Sequence, residues 1–240
     1  MEMNEKLSSL QNQINLIRGG VDDMTYARVW SDTCRDIGWI QDLPGISPGR
    51  WAVGYNYIYV MTRILNEFRP HNVLELGLGT STTLISTYFR HQIAGECEHI
   101  VIEQNADWKK FYLNGHPIPS CSHIYVVPMV TCEKDGQPFE MYRDLHPFID
   151  GKQFSLISID GPRGGDYYSR RDLLPYLPQI LTHDFVIVLD DAQRPGEQRT
   201  IADILAILKN AGIAHNLGYY TGSKYVAVIT SRNLDYFCTL

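Results

Sequence analysis

Three carboxylates stand at the ends of two apolar runs: Asp160 after Leu156-Ile-Ser-Ile159, and the pair Asp190-Asp191 after Phe185-Val-Ile-Val-Leu189. Hard oxygen donors of this kind suit Mg²⁺ or a similar divalent ion. A plainer reading leaves the metal out, with Asp160 holding a cofactor or a helix start and Asp191 capping a turn. A second group lies upstream in Val73-Leu-Glu-Leu-Gly-Leu-Gly-Thr-Ser81, where an apolar run enters a Gly-x-Gly turn that opens a helix. Gly77 and Gly79 permit tight turning and close approach of a ligand, and the helix start at Thr80 and Ser81 offers free N–H groups.

A dinucleotide fingerprint would place a third glycine at position 82, where the chain has Thr82. Glu75 would repel a pyrophosphate but pair well with an ammonium group. Glu103 closes the next apolar run 24 residues after Gly79. Doubly wound nucleotide folds place a ribose-binding acid about 20 residues on, although a solvated strand-end carboxylate is the simpler alternative. A nucleoside that also carries an ammonium is S-adenosylmethionine.

These residues need a frame that brings strand ends together. Short β-branched runs at 72–76, 99–103, 123–127, 154–160 and 185–190 alternate with helical patterns at 81–90, 107–113, 139–145, 170–181 and 198–209. That alternation predicts βα units and a parallel sheet covered on both faces. Ser169 and Asp172 read as a cap for the 170–181 helix. Two extended segments, 214–220 and 224–230, are joined by only Thr221-Gly222-Ser223, too short for a parallel crossover, so the sheet ends in one reversed strand. Upstream, Leu7, Leu10, Ile14 and Ile17 predict a helix that Gly19-Gly20 stops, followed by helices at 25–37 and 55–68. Residues 1–71 thus read as a helical lid or appendage, and 72–240 as the ligand-binding domain.

Composition narrows the partners. The chain of 240 residues is 44% apolar and 20% charged, with a net charge of −6, which removes disorder and a broad nucleic-acid surface. Its five cysteines are scattered without zinc spacing. No signal-peptide pattern or membrane-length apolar run is present, so a cytoplasmic protein with no membrane span is expected. Assembly with identical chains stays open.

Together, Val73–Ser81, Glu103, Leu156–Asp160 and the terminal hairpin resemble the class I S-adenosylmethionine-dependent methyltransferases over about two-thirds of the chain. The resemblance implies an α/β, Rossmann-like, doubly wound sheet of seven strands, mostly parallel, with the last strand antiparallel and an N-terminal helical extension. It implies that Glu75 meets the amino group of the methionine moiety, that Glu103 binds the ribose, and that Gly77, Gly79, Thr80 and Ser81 line the methionine side. Pro128-Met129 departs from the family's adenine-contacting position. The acids after strands four and five resemble the divalent-metal O-methyltransferases related to catechol O-methyltransferase, with Asp160, Asp190 and Asp191 as metal ligands. Where that family has a lysine base, this chain has Arg163, which stays protonated and is suited instead to clamp an anionic acceptor. Gly49-Arg50-Trp51-Ala-Val-Gly54 resembles methyltransferase-like proteins of polysaccharide-biosynthesis clusters, which implies a small or saccharide-like acceptor. The expectation is O-methylation, with Asp160, Arg163 and Asp190 at the reacting centre. Two alternatives are a nicotinamide-dependent oxidoreductase and a non-catalytic binding protein on the same fold.

Overall fold

Near-continuous apolar strands need cover on both faces, and that need organises the molecule. The computed structural model describes residues 2–49, 51–91 and 96–239, so Arg50 of the Gly49–Gly54 motif lies outside the described residues. Among the described residues nine strands form: β1 (Asn72–Leu76), β2 (Glu98–Glu103), β3 (Ser122–Val126), β4 (Met129–Lys134), β5 (Gln137–Tyr142), β6 (Phe154–Ile159), β7 (Leu181–Leu189), β8 (His215–Tyr220) and β9 (Val226–Ser231). Seven of them make one sheet in the order β3-β2-β1-β6-β7-β9-β8. The pairings from β3 to β7 are parallel, whereas β9 runs antiparallel to both β7 and β8. The seven-stranded α/β sheet with its reversed last strand is therefore as expected.

Helices cover the sheet: α1 (Glu2–Thr33), α2 (Tyr55–Arg63), α3 (Thr80–His91), α4 (Ala106–Gly115), α5 (His146–Ile149) and α6 (Pro195–Asn210). Alternation along β1 shows how the layers form. Val73 faces a core shared with Tyr57, Ile58, Met61, Ile64 and Leu84, while Leu74 and Leu76 face the opposite core with Ile157, Ile187 and Ile204. The first core is continuous from α2 to the sheet, so α2 packs as a covering layer in its own right. Because β1 has β2 on one side and β6 on the other, the chain reverses its direction of winding beside β1. A crevice opens at such a switch point, at the carboxyl ends of the strands.

Four local expectations are corrected. Gly19-Gly20 does not stop the first helix, which runs unbroken to Thr33. A Cβ on Gly19 would lie 3.1 Å from the Gly222 carbonyl oxygen, so this glycine serves the close approach of α1 to the β8–β9 turn. Residues 139–145 do not form a helix. Asp135 and Gly136, both at positive φ, make a tight turn joining β4 to β5 as an antiparallel hairpin. Between 170 and 181 only a single turn, Leu174–Tyr176, is helical. Pro175 and Pro178 remove backbone donors there, and a longer helix would need them. The expected cap is put to other use: Asp172 accepts the Tyr142 N–H at 2.6 Å, and the Ser169 hydroxyl donates to Glu197 at 2.9 Å.

The N-terminal helices also brace the turn between β8 and β9. The Asn56 amide, at the start of α2, donates to the carbonyls of Tyr220 at 3.0 Å and Lys224 at 2.7 Å. Asp22 and Asp23 on α1 accept the hydroxyls of Thr221 and Ser223. Among the described residues, no helix is long and apolar enough to cross a membrane.

Candidate active site

The glycine turn after β1 is shaped by its neighbours as much as by space for a ligand. Gly77 has φ +102°, and an added Cβ would stand 3.0 Å from the Gly161 nitrogen, where the chain leaving β6 crosses the turn. Gly79 is different: nothing lies within 4 Å of an added Cβ, and the residue borders open space. Thr82, in place of a third glycine, accepts the Gly79 N–H at 3.0 Å and ties the turn to α3.

That space is a cleft of two lobes, about 390 and 620 Å³, which share Trp51, Leu78, Trp108 and Asp160. Ligand sites in proteins commonly span about 300–1,000 Å³. Gly79, Thr80 and Thr83 line the smaller lobe together with Gly45, Ile46, Ser47, Ala52 and Val53. Gly77, Glu103, Gln104 and Asn105 line one side of the larger lobe. Glu103 is buried and accepts the N–H groups of Leu78 at 3.1 Å and Asn105 at 2.7 Å. Burial raises its pKa, and those backbone bonds oppose the rise. The Asn105 side chain caps α4, which sets Trp108 in the wall, where its indole N–H donates to the Leu78 carbonyl at 2.7 Å.

Glu75 and Ser81 do not reach this wall. Ser81 is buried within α3. Glu75 is fully buried, one oxygen pairing with the His99 ring at 3.2 Å and the other without a partner. The expected ammonium is thus not needed to account for one of its two oxygens.

Opposite Glu103 lies a cluster of buried charge. Arg170 is its centre, with a side chain only 4% exposed. Its guanidinium meets Asp160 at 3.2 Å, Asp191 at 2.8 Å and the Asp190 carbonyl at 2.6 Å. Arg194 joins Asp191 at 2.9 Å, and the Lys224 ammonium reaches Asp190 at 3.4 Å and the Ala52 carbonyl at 3.0 Å. Asp160 and Asp191 border the larger lobe together with Arg163, whose guanidinium lies 5.8 Å from the Trp51 ring centre. Burial pushes Asp160 up to about 8 against the pull of Arg170, and it raises Asp190 as well.

Two features of the donor set are compatible with a divalent cation, while Arg170, Arg194 and Lys224 already pair with the same three carboxylates. Oxygens of Asp160, Asp190 and Asp191 lie within 4.8 Å of one another. Asp190 Oδ1 and Asp191 Oδ1 are buried without a hydrogen-bond partner. Sequence reasoning missed Arg170 as the hub, together with Lys224, Trp108, Gln104 and Asn105. The run Arg170-Arg171 is visibly basic, but nothing local marks Arg170 as a buried hub or Lys224 as a site residue.

Comparison with solved structures bears on the fold. TomG, an O-methyltransferase from Streptomyces achromogenes involved in tomaymycin synthesis and solved with S-adenosylmethionine, superposes with a TM-score of 0.53 at 12% identity, covering 90% of this chain and 98% of its own. The likeness is one of fold: a mostly parallel α/β sheet with one reversed strand, shared with solved methyltransferases. A Bacillus cereus O-methyltransferase in complex with S-adenosylhomocysteine matches with a TM-score of 0.50 at 13% identity, covering 88% of this chain and 91% of its own. The methyltransferase PaMTH1 from Podospora anserina, bound to S-adenosylhomocysteine, gives 0.50 at 10% identity over 96% of each chain. No protein-family model and no curated protein sequence matches the chain.

Proposed function

We propose that the protein transfers the methyl group of S-adenosylmethionine to a hydroxyl oxygen of a small or saccharide-like acceptor that carries negative charge. The observation that carries this reading is the asymmetry of the cleft: a backbone-satisfied acid and the Trp108 ring on one wall, a buried ionic cluster on the other. On the first wall, Glu103 keeps lone pairs for the ribose hydroxyls beyond its two backbone bonds. Gln104, Asn105 and Trp108 stand where the adenine would lie. Gly79 and Thr80 leave room for the methionine portion in the smaller lobe, with Gly77 shaping the turn. Asp160 borders both lobes and therefore flanks the path of the methyl group.

On the second wall, Asp160, Asp190 and Asp191 would hold a divalent ion. Such an ion supplies Lewis acidity, lowering the pKa of an acceptor hydroxyl and fixing its oxygen. The chain's own residues do the positioning, which is most of the work in an in-line methyl transfer that discharges a sulfonium. Arg163 and Arg194 offer donors to an acceptor carboxylate or phosphate, with Lys224 deeper in the lobe. Gly45–Ser47 and Trp51–Val53 would act as a lid on the smaller lobe, with Trp51 bordering the larger one as well.

The test is transfer of labelled methyl from S-adenosylmethionine to a panel of neutral, uronic and phosphorylated saccharides. Label should accumulate as a base-stable ether on the anionic members, and Arg163→Ala should raise KM for them more than it lowers kcat. Label on amines or carboxylates, or indifference to acceptor charge, would overturn the acceptor assignment.

A further inference from the structure

Helix α1 carries an apolar stripe that the single chain leaves uncovered. Leu7, Leu10, Ile14, Ile17, Val21 and Met24 follow one another at alternating steps of three and four residues, and each is at least 50% exposed. A 3.5-residue period held over three heptads keeps one narrow line of side chains facing a partner helix, the pattern of a coiled-coil seam. From Gly19 onward the other side of the helix is already engaged. Gly19 backs onto Gly222, Asp22 and Asp23 bind Thr221 and Ser223, and Tyr26 is buried against Tyr59 and Tyr220. At about 100° per residue these docked positions lie across the helix axis from the stripe. A partner helix can therefore run along the stripe without displacing the sheet domain.

We propose that α1 is a dimerisation stem whose stripe pairs with the same stripe of a second copy of this chain. The surface is self-complementary, as a two-fold interface requires. No charged residue interrupts the six seam positions. In a parallel pair Lys6 flanks Gln11 of the second copy and Gln13 flanks its Arg18, so no like charges meet. Each such side chain hides on the order of 100 Å² when covered. Six from each copy bring about 1,200 Å² out of water, the size at which specific interfaces begin. A membrane is the poorer occupant: Glu2, Glu5, Asp22 and Asp23 outnumber Lys6 and Arg18 along this stretch, whereas surface helices that seek anionic lipid are flanked by basic residues.

Sedimentation equilibrium on the full chain tests the stem. The wild type should sediment at twice the 27.4 kDa chain mass. Leu10→Glu combined with Ile17→Glu should sediment as a monomer with the thermal midpoint of the sheet domain unchanged, since both side chains are exposed, and Leu10→Ile should remain dimeric. A monomeric wild type up to its solubility limit, or a dimer indifferent to both glutamates, overturns the proposal. Co-sedimentation of a monomeric wild type with phosphatidylcholine–phosphatidylserine vesicles would assign the stripe to a membrane instead.

Discussion

The two walls of the cleft are built on opposite plans. On the Glu103 side the polar groups are satisfied by the chain itself: Leu78 and Asn105 N–H on the acid, the Leu78 carbonyl on Trp108, Thr82 on the Gly79 N–H. On the Arg170 side, Arg170 Nε, Asp190 Oδ1, Asp191 Oδ1 and Glu197 Oε2 are buried and lack hydrogen-bond partners. Satisfied polar groups hold one shape, ready for a ligand that does not vary. Buried charge without full pairing costs stability that an incoming cation or anion can offset. The first wall should therefore be intolerant of altered shape, and the second of altered charge.

The largest effect expected is on shape. Gly79→Arg fills the smaller lobe and should weaken S-adenosylhomocysteine binding beyond about a hundredfold by calorimetry, about 3 kcal/mol or more. The domain should still fold, because nothing crowds that position. Gly77→Ala is the contrasting change, since its φ and the Gly161 contact bear on folding; a loss of about 1–3 kcal/mol in denaturant unfolding is expected. If Gly77→Ala is neutral, the first wall is not the rigid one.

Charge comes next. Arg170→Ala strands Asp160, Asp191 and Glu197 in the interior and should destabilise the protein by about 3–5 kcal/mol. Asp190→Asn or chelation should lower turnover by about tenfold or more, in keeping with loss of a Lewis acid. Either treatment should leave cofactor affinity nearly unchanged, because Asp190 does not line the cofactor side of the cleft. Equal losses of turnover and cofactor affinity would erase the division between the walls.

The smallest effect is a pH dependence set beside the site. Burial pushes Asp172 up to about 7, against its bond from the Tyr142 N–H. The folded form therefore holds this proton more tightly than the unfolded chain does. Its contribution is complete below about pH 4 and is lost as pH rises to about 7, a decline of a few kcal/mol at most. Thermal midpoints of Asp172→Asn should fall less over that interval than those of the wild type. Parallel curves would mean that Asp172 is already ionised in the folded protein.

What could be read from the sequence follows from the range of the forces involved. The inner strands β1, β2, β6, β7 and β9 were legible because burial on both faces makes each a short apolar run, and Thr221-Gly222-Ser223 dictated the reversed β9 by length alone. The β4–β5 hairpin was legible in principle through Asp135-Gly136, but its strands, with Glu133, Lys134, Gln137 and Glu140, lack an apolar signature. Gly19 looked like a helix stop because its reason, the backbone of Gly222, is about 200 residues away in sequence. The site divides in the same way. Gly77, Gly79, Glu103 and the three aspartates sit at strand ends, where a local pattern marks them. Arg170 and Lys224 acquire their positions only through tertiary folding, one from an irregular segment after β6 and the other from a turn held by Asn56.

Calorimetric titration of the wild-type chain with S-adenosylhomocysteine tests the proposed cofactor most directly, with NAD as the parallel titrant. Saturable one-site binding of S-adenosylhomocysteine and no heat with NAD is the result expected. Binding of NAD, or of neither, would contradict it.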